Sequence, residues 1–254
     1  ISGVAANKAS AIYRDDLPHH DMTGGNTFMP GIIKERFSGE NPAALDSGVV
    51  RARHMLRLAA TVDLQVTDGG DHFSASVRVT NETGHKLPSG YPEGRRIWLN
   101  LIAKDASGAV VYESGHYDFS TGDLSHDADA KIYEVKPGID NYMAGVTSLP
   151  EGPSFHFVLN NKIFSDNRIP PRGFTNAAFE DIQSPPVNYV YADGQYWDDT
   201  EYALPITTDT VEVRLYYQTL SKEYVTFLRD ENITNESGNC LLYTSDAADD
   251  LLCV

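Results

Sequence analysis

Basic residues are scarce in this chain: 20 Lys and Arg stand against 36 Asp and Glu, a net charge of −16 over 254 residues. A nucleic-acid surface needs a basic footprint, and an anionic membrane surface repels such a chain, so the balance argues against both partners. No apolar run approaches the roughly 18 residues of a membrane span. Cysteine occurs only as Cys240 and Cys253, both near the end of the chain, which is too few for a disulfide framework. Also missing are a GxSxG nucleophile elbow, an HExxH zinc motif, a P-loop and a dinucleotide fingerprint. The paired acids Asp15-Asp16 and Asp198-Asp199 are sequence neighbours, and such pairs are usually solvated. No catalytic residue is assigned, and the chain is not read as an enzyme by itself.

What the chain does have is a globular share of apolar residues, 41%, enough for a sizeable core in one or two domains. Residues 1–45 carry little periodicity. Asp46 or Ser47 is placed to cap a helix reaching about Ala60, with Val49, Ala52, Leu56, Ala59 and Ala60 on one face. Arg51, His54 and Arg57 fall largely on the other. From Thr61 the period switches to two. Val62, Leu64 and Val66 alternate, Thr67–Asp71 is a turn, and Phe73, Ala75, Val77 and Val79 alternate again, which reads as a β-hairpin. Further strands are expected at 96–104, 109–114, near 131–136 and 154–160, and at 209–218. Ser221 then caps a short helix through about Asp230. Seven or so strands with short turns predict a mainly β fold: an antiparallel, immunoglobulin-like β-sandwich after an irregular and helical N-terminal segment.

One stretch stands apart. Between the strands ending near Val79 and starting near Arg96 lies Thr83-Gly-His-Lys-Leu-Pro-Ser-Gly-Tyr-Pro-Glu-Gly-Arg-Arg96. Three Gly and two Pro set its backbone path. It carries one imidazole, a Tyr and two adjacent guanidiniums. This TGHKLPSGYPEGRRIWL run resembles the TGHKxPTGxPxxRRxWL segment of a β-sandwich domain that forms the C-terminal part of a family of bacterial multihaem c-type cytochromes, related to the cytochrome c-554 type. The resemblance continues in HDMTGGNTFMPGII (His20–Ile33), RARHMLRLAA (Arg51–Ala60), DNRIPPRGFTNAAF (Asp166–Phe179), YADGQYWDDTEY (Tyr191–Tyr202) and YYQTLSKEYVTFLRDEN (Tyr216–Asn232), in order across most of residues 13–238.

The resemblance implies a domain packed on a haem-bearing region, with haem c as the cofactor of that region. The chain itself contains no CxxCH, the motif through which haem c is attached. It therefore resembles the portion downstream of the haem sites, with residues 1–60 as the tail end of the haem-bearing region plus a linking helix. Residues 61–238 are the sandwich, with a long loop insertion at 161–206. Residues 240–254 resemble an in-frame translation of a sequencing adapter, so 239–254 is expected to be a non-native tail, whose Asp246, Asp249 and Asp250 leave the rest near −13.

By the resemblance, His20 and His85 are candidate axial ligands of haem iron, since neutral imidazole is a strong iron ligand. Arg95, Arg96, Arg168 and Arg172 are candidates for haem propionates or for the interface, since a planar guanidinium matches a carboxylate. Arg95 and Arg96 are adjacent, so on a strand they point to opposite sides, one to a partner and one to a buried acid. The alternative for His85 is structural, pinning the loop by hydrogen bonds. Asp193, Asp198 and Asp199 cluster in sequence and could hold calcium, although their spacing is not that of an EF-hand.

Two functions follow. One is a non-catalytic C-terminal domain of a periplasmic or extracellular multihaem cytochrome in electron transfer, with the upstream haem domain and a redox partner protein as its partners. The other is a ligand-binding β-sandwich for carbohydrate or cell surfaces, calcium-stabilised, with Tyr91, Tyr196 and Trp197 as its stacking surface.

Overall fold

The computed structural model describes residues 2–4, 12–16, 23–91 and 94–235. His20 and the 239–254 tail lie outside the described residues. After a two-residue antiparallel pairing of Gly3–Val4 with Tyr13–Arg14 come two helices, α1 (Met29–Arg36) and α2 (Pro42–Arg57). The cap of α2 is not Asp46 or Ser47 but Asn41, whose side chain accepts from the Ala43 and Ala44 amides, with Pro42 at the first helical position. The missing N–H of proline costs nothing there, so the helix starts a turn earlier than its apolar stripe suggests. Ala52 is buried and Leu56 half-buried, while Arg51, His54 and Arg57 are exposed.

Seven strands then build the sandwich: β1 (Ala60–Asp68), β2 (His72–Asn81), β3 (Arg96–Lys104), β4 (Val110–Ser114), β5 (Ile132–Tyr133), β6 (Trp197–Pro205) and β7 (Thr210–Gln218). All pairings are antiparallel. One sheet has the order β6-β2-β1. The other has the order β7-β3-β4, with β5 pairing β3 further along the edge that β4 uses. Alternation decides which side faces in. Ala75, Val77 and Val79 of β2 meet Ile97, Leu99, Leu101 and Ala103 of β3, and Tyr202, Leu204, Leu215 and Tyr217 complete the core. β3 is covered on both faces: Trp98, pointing away from that core, is fully buried among Tyr117, Leu124 and Tyr216.

The expected hairpin, the strands at 96–104 and 209–218, and the Ser221 cap of the last helix (α5, below) are all present. Two expectations fail. Residues 154–160 form a single 3-10 turn at Phe157–Leu159, and the strand lies after it at Lys162–Asp166, in a small sheet with Val135–Ile139 and Gly152–Pro153. The run 161–206 is not one long loop, because its end is β6, a full edge strand of the sandwich. The inward positions of β6 are Asp198, Thr200, Tyr202 and Leu204, so half of its buried face is polar and the usual alternation is hidden. Three short helices complete the chain: α3 (Asn141–Thr147), α4 (Asn176–Asp181) and α5 (Lys222–Glu231). No helix among the described residues is long and apolar enough to cross a membrane.

Candidate functional site

The loop from Thr83 to Arg95 leaves the end of β2 and returns into β3, beside the C-terminus of α2. Its anchor is Asn81, which is buried. The Asn81 Nδ2 lies 2.7 Å from the His85 carbonyl, 2.9 Å from that of Ile169 and 3.0 Å from that of Pro170. Its Oδ1 accepts from the Thr83 amide and hydroxyl, both at 2.8 Å. The Thr83 hydroxyl oxygen also lies 2.9 Å from the His85 carbonyl, an alternative acceptor for its one proton. One amide side chain thus fixes both the entry of the loop and the facing residues 169–170.

The next residue is clamped as firmly. The Lys86 ammonium is buried and lies 2.7 Å from Asp166 Oδ2, and Arg168 grips the same carboxylate through Nε at 2.9 Å and Nη2 at 2.7 Å. Burial alone would raise the Asp166 carboxyl, but Arg168 and Lys86 outweigh it and hold it below its ordinary value. Burial pushes the Lys86 amine down, and its bond to Asp166 only partly restores it. Leu87 exchanges backbone bonds with Ile169 at 2.8 and 3.0 Å, and the Leu87-Pro88 peptide is cis. At the far end, the Gly94 carbonyl accepts from the Ser221 amide at 2.6 Å, at the start of α5.

Against this rigid backbone the imidazole of His85 is exposed, and it makes no hydrogen bond among the described residues. The residue is pinned through its carbonyl, and its ring is not what pins it. The four arginines separate into two kinds. Arg96 is buried: Nε donates to Gln218 at 2.8 Å and Nη1 to Glu223 at 3.2 Å. Arg168 is tied to Asp166. Arg172 is 68% exposed, lies over the Tyr196 ring at 4.8 Å, and reaches Glu82 at 3.4 Å. Arg95 donates from Nη1 to the Ser89 carbonyl at 2.7 Å. So Arg95 and Arg96 do point apart, with Arg96 on the side of an acid. The acid is Glu223, contributed by α5.

The three aspartates are not brought together. Asp198 is buried under β6 and accepts from Tyr133 at 2.9 Å and Tyr189 at 2.7 Å, with the Lys131 ammonium at 2.8 Å. Burial, reinforced by the Asp198 charge, pushes the Tyr133 and Tyr189 hydroxyls up. Asp199 faces the opposite side of the strand, where Arg78 holds both its oxygens at 2.7 and 2.8 Å. Asp193 lies at the start of α4, accepting from the Asn176 amide at 2.8 Å and its side chain at 2.9 Å. Among the described residues no three His, Cys, Asp or Glu side chains are grouped to hold a metal ion. The calcium expectation fails because neighbours on a strand diverge and each carboxylate already has its own cation or N–H partners.

Of the three aromatic residues singled out, Tyr91 is exposed, edge-on to Phe157. Tyr196 and Trp197 are half-buried, with a guanidinium over each ring: Arg172 at 4.8 Å and Arg78 at 5.1 Å. Sequence reasoning missed Asn81, Lys86 and Asp166 as the frame of the loop. Asn81 was open to detection, since an Asn two residues before a Thr at a strand end is an Asx-turn signal.

No protein-family model matches the chain, and no curated protein matches it in sequence. Among solved structures it is similar to a penta-haem cytochrome c552 from Thermochromatium tepidum, with a TM-score of 0.47 and 20% identity over 73% of this chain and 37% of that one, so the chain spans little more than a third of that structure's length.

Proposed function

We propose that this chain is the non-catalytic sandwich part of a multihaem c-type cytochrome, working in electron transfer outside the cytoplasm and packing against a haem-bearing region through the face that carries His85. The observation that carries this reading is the contrast at His85: a backbone held by Asn81 and Thr83, and an exposed imidazole that no described side chain engages. Rigid presentation lowers the ordering cost when an outside ligand is met. The TGHKLPSGYPEGRR run supplies the second support, through its likeness to the cytochrome family.

The residues present fit haem as outside ligands and not as its covalent anchor, because the chain has no CxxCH. His85 would offer a ring nitrogen to iron. Arg172, exposed beside Glu82 at the same end of the sandwich, would meet a propionate carboxylate. His20 remains a second axial candidate. Bound haem would supply the one-electron chemistry; the sandwich would orient the ring and exclude water from its edge. The acidic surface would meet a basic redox partner at a salt-sensitive contact.

The test uses the chain as it stands. A haem c peptide with one histidine ligand and an open sixth position is titrated with the chain, and the Soret band is followed. The expected result is a shift to the low-spin bis-histidine form that is lost in His85→Ala and kept in His54→Ala. A shift unchanged in His85→Ala sinks the reading of His85 as the axial ligand. The second reading, a carbohydrate-binding sandwich, keeps Tyr91 as an exposed ring, but the guanidiniums over Tyr196 and Trp197 already occupy a stacking face on each.

A further inference from the structure

Between the C-terminus of α2, the Thr83–Arg95 loop and the ends of β3 and β7 lies a cavity of about 370 Å³. Its wall is largely apolar, with Leu56, Ala59, Leu87, Ile97 and Leu215 among its lining residues. Pockets of roughly 300–1,000 Å³ are the size that takes small molecules. Most of this one would suit any hydrocarbon. The exception is Arg95, which also lines it.

Among the described residues the guanidinium of Arg95 has one hydrogen bond, from Nη1 to the Ser89 carbonyl, and its Nε is buried with no partner there. Arg95 makes no ion pair among the described residues. It differs in this from Arg96, Arg168 and Arg172, each of which has an acid in reach. A buried N–H of a charged group is costly to leave unsatisfied, and a carboxylate is its best complement. The Arg95 side chain is also fixed in place. Gly90, at φ +83°, lies directly over Nη1, so that a Cβ there would collide with the guanidinium.

We propose that this cavity binds a small monocarboxylate with an apolar body, its hydrocarbon lying along the α2 wall and its carboxylate paired with Arg95. The occupant carries one negative charge because the cavity offers one unmatched cation. It has a hydrocarbon tail because the remaining wall has little to hydrogen-bond. This goes beyond the cytochrome reading and does not depend on it, since every residue involved belongs to this chain and haem takes no part.

Calorimetric titration of the full chain with sodium octanoate, and with octan-1-ol as its neutral counterpart, tests the proposal. Octanoate is expected to bind one to one, at least about tenfold more tightly than octanol, as a charge-assisted hydrogen bond implies. Arg95→Met should bring octanoate down to the octanol level. Ala59→Leu, which fills the cavity without touching the charge, should weaken both ligands while thermal unfolding stays cooperative. Equal binding of octanoate and octanol overturns the proposal. So does octanoate binding that survives Ala59→Leu, or the absence of saturable octanoate binding up to about 1 mM.

Discussion

Asp166→Asn is the most informative single change in this molecule. The variant keeps the shape of the side chain and removes its charge, leaving Lys86 and Arg168 as cations with side-chain exposures of 5% and 14%. Breaking a buried pair by removing one partner costs about 3–5 kcal/mol, because the remaining charge stays desolvated. With a urea slope of about 2–3 kcal/mol per M, the unfolding midpoint should fall by about 1–2.5 M. The pH dependence has a fixed sign. The folded carboxyl titrates below its ordinary value of about 3.9, so its contribution is complete above that value and is lost as pH falls through the lower, folded one. The gap between wild type and variant should therefore narrow as pH falls below the ordinary carboxyl value and close once the folded carboxyl is protonated. Replacing all three groups with apolar residues of similar volume (Lys86→Met, Asp166→Leu, Arg168→Met) should recover most of the loss, since no stranded charge remains. A midpoint shift below about 0.3 M, or a triple variant no more stable than the single, would refute the reasoning.

Other expectations separate frame from function around the same loop. His85→Ala should leave stability within about 0.5 kcal/mol of wild type, as for an exposed residue without partners, whereas Asn81→Ala should cost about 2–3 kcal/mol by stranding buried carbonyls; chemical denaturation compares them. Ser221→Ala removes the cap that accepts from the Tyr224 amide at 3.2 Å and should cost about 1 kcal/mol, read by the same assay. Calcium addition or chelation should leave the thermal midpoint unmoved, because Asp193, Asp198 and Asp199 serve three separate partnerships; a saturable rise with calcium would contradict that.

The sandwich was legible wherever one face of a strand is apolar. β1, β2, β3 and β7 all show their period in Val, Ile, Leu and Phe at alternate positions. β6 was hidden because its inward face begins with Asp198 and Thr200, and Asp198 is tolerable there only because Lys131, Tyr133 and Tyr189 converge on it from distant parts of the chain. No local pattern encodes such a convergence. The loop was recognisable from its Gly, Pro and His content, but its rigidity comes from Asn81 and Asp166, whose partners are up to 89 residues away. The calcium expectation read nearness in sequence as nearness in space, and the two-residue period of a strand breaks that equation.

The placement of β2 has a consequence for how the chain acquires its shape. β2 pairs with β1 through a tight turn, but on its other edge it pairs with β6, so that Val79 meets Asp198 about 120 residues later. Closing so long a loop is entropically costly before any contact rewards it. The hairpin of β1 and β2 can form as soon as it leaves the ribosome. Its free edge then stays open while more than a hundred residues are still being made. Arg78, on the outward face of β2, puts a charge on that edge during the interval, a feature that discourages pairing with another chain. When β6 arrives, Asp199 engages that guanidinium, so the group that guards the open edge also marks the place where the last strand of its sheet belongs.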